Sequence, residues 1–260
     1  MKYRVNQEPK NPESGSLELI EDLIAKAEPD TAGMSEWFHR SAQNHHRRLA
    51  YDIDYVRRYV QREGRILECG AIPLLLTGAL QMIGYSVHGV DIAPERFAKA
   101  IVSLNLMVSK VDIETERLPF SDGEFDAIIF NELFEHLRIN PIFTMKEVYR
   151  VTKPSGTLLL STPNLKSLDG MINFVFRDRA YSCVSDIYDE YSKLETLGHM
   201  GHTREYTTFE VCHFLRKIGF TIDEVIYRGY YQSKGKQKVI GLFPSLRPFV
   251  TIVAIKRISE

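Results

Sequence analysis

The sequence predicts a doubly wound α/β fold, a mostly parallel seven-stranded sheet with helices on both faces and a lid-like insertion. Three observations predict it. Residues 65–91, RILECGAIPLLLTGALQMIGYSVHGVD, read as strand, tight turn, helix and strand, the βαβ unit of parallel sheets. Apolar runs of strand length then alternate with helical patterns. Residues 163–206 interrupt that alternation with aromatics, charge and no clean strand, as an insertion over the carboxyl edge of a sheet would.

The elements follow in order. Residues 1–16 are polar and carry Pro9, Pro12 and Gly15, so they are expected to be loose. Apolar residues at helical spacing mark a helix over 17–27, ending before Pro29, and a second over 35–60. These make an N-terminal helical segment, 1–62, ahead of a main domain, 63–257. His45, His46, Arg47 and Arg48 on the second helix either meet an anionic substrate group or form a solvated face. In the main domain, strands are expected at 66–68, 87–90, 108–113, 125–130, 157–161, 220–227 and 249–256. Helices are expected at 74–83, 94–107, 141–151 and 208–218, with a turn at 153–156 and a polar, basic loop around Lys234, Lys236 and Lys238. The run Phe125-Asp126-Ala127-Ile128-Ile129-Phe130 suits a strand buried on both faces. The last strand is reached by a loop rather than a helix, so it can enter antiparallel.

Ligands of such sheets bind beyond the carboxyl ends of the strands. Glu68 and Gly70, Asp91, Asp112 with Ile113, and Asn131 to His136 fall there. An acid ending the second strand is where these folds hold ribose hydroxyls. The first turn, Gly70-Ala71-Ile72-Pro73, lacks G-x-G-x-x-G, which argues against a pyrophosphate lying on it. A nucleoside without phosphates tolerates that turn. A net charge of −1 gives no basic footprint for nucleic acid. Cys69, Cys183 and Cys212 are too few for a disulfide framework. No signal-peptide pattern opens the chain, and the apolar tail over 239–255 is broken by Pro244, Arg247 and Pro248, so a cytoplasmic address is expected.

Five stretches, in order, resemble class I S-adenosylmethionine-dependent methyltransferases over about residues 40–257. They are ILECGA, GVDIAPE, VDIETERLPFSDGEFDAIIFNELFEHL, VTKPSGTLLLSTPN and GHTREYTTFEVCHFLRKIGF. The resemblance implies a Rossmann-like methyltransferase sheet and S-adenosyl-L-methionine as cofactor. By its pattern Glu68 and Gly70 flank the amino-acid end of the cofactor, with Ala71 and Ile92 among the binding residues. Asp91 accepts both ribose hydroxyls, Asp112 takes the adenine amino group, Ile113 packs on the ring, and Asn131 sits beneath the sulfonium or the methionine carboxyl end. The chain departs from the pattern where the second and third glycines would be, at Ile72 and Leu74, and Ser155 replaces one glycine of the fifth-strand motif. Pro73 would occupy a first helical position. The G-A-x-P turn resembles a variant among methyltransferases of glycan and glycolipid assembly.

A sulfonium methyl is already activated, so alignment and exclusion of water supply most of the acceleration. A hydroxyl acceptor also needs a base near neutral pKa, and histidine suits. His136, His199 and His202 fall where an acceptor would lie, with His136 and His202 as the candidate catalytic residues. His199 and His202 with Asp186, Asp189 or Glu190 could ligate a metal, but the expectation is no metal. Phe174, Phe176, Tyr181, Tyr188 and Tyr191 build a lid or an acceptor pocket. The expected activity is O-methylation of a sugar, glycolipid or other small-molecule hydroxyl. The alternatives are C-methylation of a quinone or lipid, and a non-catalytic cofactor-binding or interaction protein. The expected partner is a small-molecule or glycan acceptor and not nucleic acid; contact of Leu242-Phe243 and the basic loop with a membrane surface is left open.

Overall fold

The structure, a computed structural model, describes residues 3–257 apart from 32, 185 and 198–200. Its elements are β1 (Arg4–Gln7), α1 (Ser16–Ile24), α2 (Met34–Tyr59), β2 (Arg65–Cys69), α3 (Leu75–Met82), β3 (Ser86–Asp91), α4 (Ala98–Ser103), β4 (Met107–Lys110) and β5 (Phe125–Asn131). There follow α5 (Pro141–Val151), β6 (Thr152–Pro163), α6 (Leu168–Arg177), α7 (Ile187–Leu197), α8 (Thr208–Ile218), β7 (Phe220–Arg228), α9 (Lys234–Leu242) and β8 (Phe249–Lys256). The sheet is mostly parallel, in the order β1-β7-β8-β6-β5-β2-β3-β4, and has eight strands rather than seven. No helix among the described residues is long and apolar enough to cross a membrane.

The chain divides into two compact units. One comprises Pro9–Ile129 and Arg150–Thr157. In it β2 pairs in parallel with β3 and with β5, and β3 with β4. Helix α1 packs on α3 because Gly78 leaves room: a Cβ there would stand 2.9 Å from Leu23 Cδ2. The helix expected at 94–107 is a 3-10 turn, Pro94–Phe97, followed by the short α4, and the strand after it ends at Lys110 instead of residue 113. Phe97, at φ −132°, breaks the helical path between the two and buries its ring edge-on to Phe38.

The other unit comprises Met1–Glu8, Phe130–Tyr149 and Leu158–Glu260. Here β7 and β8 are antiparallel, as the short connection allows, with an irregularity between Ile222 and Glu224. Residues 4–7, expected to be loose, form an edge strand parallel to β7, from Arg4↔Glu224 to Gln7↔Tyr227. All four are exposed, so backbone pairing holds them without any apolar alternation to announce it. Residues 234–242, expected as a loop, form α9: its lysines and glutamine are good helix formers, and Ile240 is buried as its anchor. The insertion is helical too, and α6 starts where Ser167 Oγ accepts the Gly170 N–H at 3.1 Å.

Arg228, almost fully buried, is held by the strand extension. Its Nε donates to Glu8 Oε1 at 3.0 Å, its Nη1 donates to Thr251 Oγ1 at 2.9 Å, and the Gly229 N–H donates to Glu8 Oε2 at 3.0 Å. Removing only the acid takes the Glu8 carboxylate away from a buried guanidinium. Glu8→Ala is therefore expected to cost about 3–5 kcal/mol in denaturant unfolding, and Glu8→Ala with Arg228→Met clearly less; equal losses would contradict this account.

Candidate functional site

One carboxylate holds the turn after β2. Gly70 adopts φ +74°, which its missing Cβ permits, and its N–H donates to the Val90 carbonyl at 2.8 Å. The Ala71 N–H reaches the same carbonyl at 3.2 Å. The Ile72 N–H donates to Asp91 Oδ2 at 3.1 Å and the Ala93 N–H to Asp91 Oδ1 at 2.9 Å. Leu74 takes φ +72°, a left-handed conformation that favours glycine, and its side chain is buried. Pro73 does not stand at the first helical position: it follows a cis bond to Ile72 and precedes Leu74, the N-cap of α3.

Gly89, in the middle of β3, was not singled out by the sequence reading. A Cβ on it would stand 2.6 Å from Ala71 Cβ, so the turn can lie against β3 only because Gly89 is bare. The signal was there, since glycine inside a strand marks close backbone approach.

Glu68 is buried beneath this turn and accepts a hydrogen bond from Thr77 Oγ1. Burial pushes its pKa up to about 8, opposed by the Thr77 bond and reinforced by the charges of Asp52 and Asp91. Asp112 lies just past β4, where its Oδ1 accepts the Glu114 N–H at 3.0 Å and its carbonyl accepts those of Thr115 and Glu116. Ile113 beside it is half-buried, while Ile92, next to Asp91, is 46% exposed. In the other unit, Asn131 ends β5 with a buried Oδ1 that accepts no hydrogen bond among the described residues.

That unit also gathers the candidate bases. The Glu135 carbonyl accepts the N–H groups of Thr203 (2.8 Å) and Arg204 (3.3 Å), and its buried carboxylate accepts from Thr162 Oγ1 at 2.9 Å. This fixes the 201–205 segment so that the His136 and His202 rings meet edge to face, 5.0 Å between centroids. His136 Nδ1 lies 3.0 Å from the Gly201 carbonyl, which can only accept, so that nitrogen carries the proton. His202 Nδ1 lies 3.2 Å from Glu205 Oε1. Glu205 was not among the expected site residues. Burial raises its pKa, but bonds from His202, from the Ser182 hydroxyl and from the Ser182 and Cys183 N–H groups outweigh burial and hold it below the usual carboxylate range. An ionised Glu205 keeps the His202 proton on Nδ1 and leaves the Nε2 lone pair to act as a base.

Glu135, His136 and His202 each bring a ligand atom within 4.8 Å of the others, a set able to hold a cation. His199 lies outside the described residues. On α2, Arg47 donates to the Lys10 carbonyl and Asn11 Oδ1, and His45 is kept neutral, with burial and Arg48 lowering its pKa to about 4.

Residues 67–160 match a family profile described as a methyltransferase domain. That stretch is a methyltransferase domain. The chain is 32% identical over 119 residues to a ubiquinone biosynthesis O-methyltransferase of Xanthomonas campestris, covering 43% of this chain and 48% of that protein. It is 28% identical over 123 residues to the mitochondrial ubiquinone biosynthesis O-methyltransferase of Rattus norvegicus, covering 44% and 35%. The matches thus span half or less of those relatives' length. Among solved structures, a Pyrococcus horikoshii protein aligns with TM-score 0.59 at 20% identity, over 83% of this chain and 92% of that one. An S-adenosylmethionine-dependent methyltransferase from Mesorhizobium loti aligns with TM-score 0.53 at 18% identity, over 78% and 96%. These likenesses are of fold.

Two outcomes follow for the methyltransferase turn. Gly89→Ala is expected to destabilise by about 1–3 kcal/mol, and Ala71→Gly in the same chain to restore part of the loss, read from denaturant midpoints. The folded Glu68 holds its proton up to about pH 8, against 4.5 for an ordinary glutamate. Its stabilising contribution is therefore complete below pH 4.5 and lost as pH rises through 8. Glu68→Gln should flatten that slope, which is on the order of a few kcal/mol, and should melt higher than the parent at pH 8. Parallel pH profiles would contradict the assignment.

Proposed function

We propose that this chain transfers the methyl group of S-adenosylmethionine to a phenolic hydroxyl of an aromatic small molecule, with His202 as the base. When bound, the cofactor supplies an electrophilic methyl on a sulfonium. The first-turn residues suit its nucleoside: Asp91 and Asp112 are acceptors for hydroxyl and amino donors, and the exposed Ile92 offers an apolar surface to a base. The turn does not suit phosphate, since Leu74 and Ile72 carry side chains where phosphate cradles need bare backbone. A protonated Glu68 near the cofactor's amino end would ionise against its positive charge. Asn131 is assigned to the methionine end by resemblance alone.

The observation that carries the reading is the His202–Glu205 pair. With the cofactor bound, its sulfonium would supply the methyl group to the acceptor oxygen, and His202 Nε2 would take the proton which that oxygen gives up. A phenol, with a pKa of about 10, is within reach of one imidazole; an aliphatic hydroxyl, close to water's value of about 16, is much less so. This favours a phenol over the sugar hydroxyl expected from the sequence. The names of the curated relatives favour it as well, and they name oxygen rather than carbon as the methylated atom.

Calorimetry with S-adenosylmethionine, and turnover with dihydroxybenzoate-type phenols, test the reading. His202→Ala and Glu205→Gln are expected to lower kcat by roughly 10²–10⁴-fold and 10-fold or more, with cofactor affinity unchanged. Asp91→Ala should abolish cofactor binding. Undiminished turnover in His202→Ala would remove the base from the scheme. A second reading rests on the Glu135, His136 and His202 grouping, which could hold a divalent cation that lowers the hydroxyl pKa directly. Loss of turnover with a chelator, restored by magnesium or zinc, would favour it; chelator-insensitive turnover favours the base.

A further inference from the structure

The segment following β6 holds a second feature that methyl transfer does not use. A cleft of about 230 Å³ lies between α6, the loop after it and α9, lined by Asp169, Asn173, Arg177, Arg179, Cys183 and Lys236 among others. Sites for whole small molecules usually measure about 300–1,000 Å³, so this one is sized for a group. Three cations and one acid line it, and the acid, Asp169, is already paired with the Lys236 ammonium. Two guanidinium groups remain in excess. Arg177 Nη1 donates to the neutral Asn173 Oδ1 at 3.1 Å, and the Arg179 side chain makes no hydrogen bond or ion pair among the described residues.

The loop that carries them is built. Asp178 turns the chain at φ +54° as the C-cap of α6, and the Arg179 N–H donates to the Asn173 carbonyl at 3.1 Å. Asn173 Nδ2 donates onward to the Tyr181 carbonyl at 2.9 Å. Asn173 thus ties both sides of the loop, and the arginines' backbone positions are set before any ligand arrives. The carbonyl end of α6 opposes an anion, but that effect fades within a turn, whereas the guanidiniums carry full charges. Paired guanidiniums match the oxygens of a phosphoryl group. Immediately before Arg177, Phe174, Val175 and Phe176 are 68%, 66% and 79% exposed, apolar side chains fanned around the last turn of α6 beside the charge.

We propose that this cleft is a subsite for a phosphoryl group carried on an apolar chain. The arginines take the phosphoryl oxygens, and the chain leaves along Phe174, Val175 and Phe176. The inference is about binding and goes beyond the methyl-transfer reading.

The full chain is titrated with inorganic pyrophosphate and with dodecyl phosphate below its micellar concentration, and sedimented with phosphatidylcholine vesicles with and without phosphatidic acid. Dodecyl phosphate should bind at least about ten-fold tighter than pyrophosphate. Arg177→Gln with Arg179→Gln should weaken it by roughly ten-fold or more per arginine, with an unchanged melting temperature. Phe174→Ser with Phe176→Ser should remove the advantage over pyrophosphate. Sedimentation with phosphatidic acid vesicles, reversed by dodecyl phosphate, would make a bilayer headgroup the source; binding of dodecyl phosphate alone would make it a dispersed amphiphile. The proposal is overturned if the double arginine variant binds like the parent, if pyrophosphate matches dodecyl phosphate, or if none of the probes binds. S-adenosylmethionine titration of the same samples keeps this outcome separate from the methyl-transfer reading.

Discussion

The pair of backbone bonds on the Asp91 carboxylate is the constraint from which the amino-terminal site follows. By accepting the Ile72 and Ala93 N–H groups on its two oxygens, Asp91 fixes the first turn to the end of β3. Each bond to a charged acceptor is worth more than one between neutral groups. Gly89 makes the same closure sterically possible by leaving Ala71 room. The acid that resemblance assigns to the ribose is thus also the clasp of the turn, and its carboxylate is aimed before any ligand is present.

Two buried glutamates show how the fold gives one residue type two states. Glu68 has a threonine hydroxyl as donor and two acids nearby, so desolvation wins and the proton stays on near neutrality. Glu205 is buried too, but four donors converge on it and the charge wins. Burial raises both, and the donors set against it decide the outcome. The consequence is chemical: an ionised Glu205 orients an imidazole, whereas a protonated Glu68 is a neutral wall that a cation could convert to a charge.

Much of this was legible in the sequence, for reasons that differ by element. Helix α8 was expected at its observed bounds, and the structure supplies the reason: Thr207 and Glu210 form a capping box at its start and Gly219 ends it. β5 was legible as an apolar run, and Asp91 as an acid closing another. β1 was not, since an exposed edge strand of Arg, Val, Asn and Gln has no periodicity to read. α9 was hidden by its lysines, which read as loop although they favour helix. Glu205 escaped although His202 stands three residues before it, because three of the four bonds that ionise it come from Ser182 and Cys183, over twenty residues away.

Leu74 shows what the missing glycines cost and what they return. A leucine held at positive φ costs about 1–3 kcal/mol. Exchanging a fully buried leucine for a smaller residue costs about 2–5 kcal/mol, so the side chain outweighs the strain it imposes. The turn therefore adopts a glycine-like φ while placing a core residue at the head of α3. A side chain at that position also denies a phosphate the close approach to backbone that it requires. Turn shape and packing are thus two results of one residue: Leu74 bends the chain at positive φ and fills the core with its side chain.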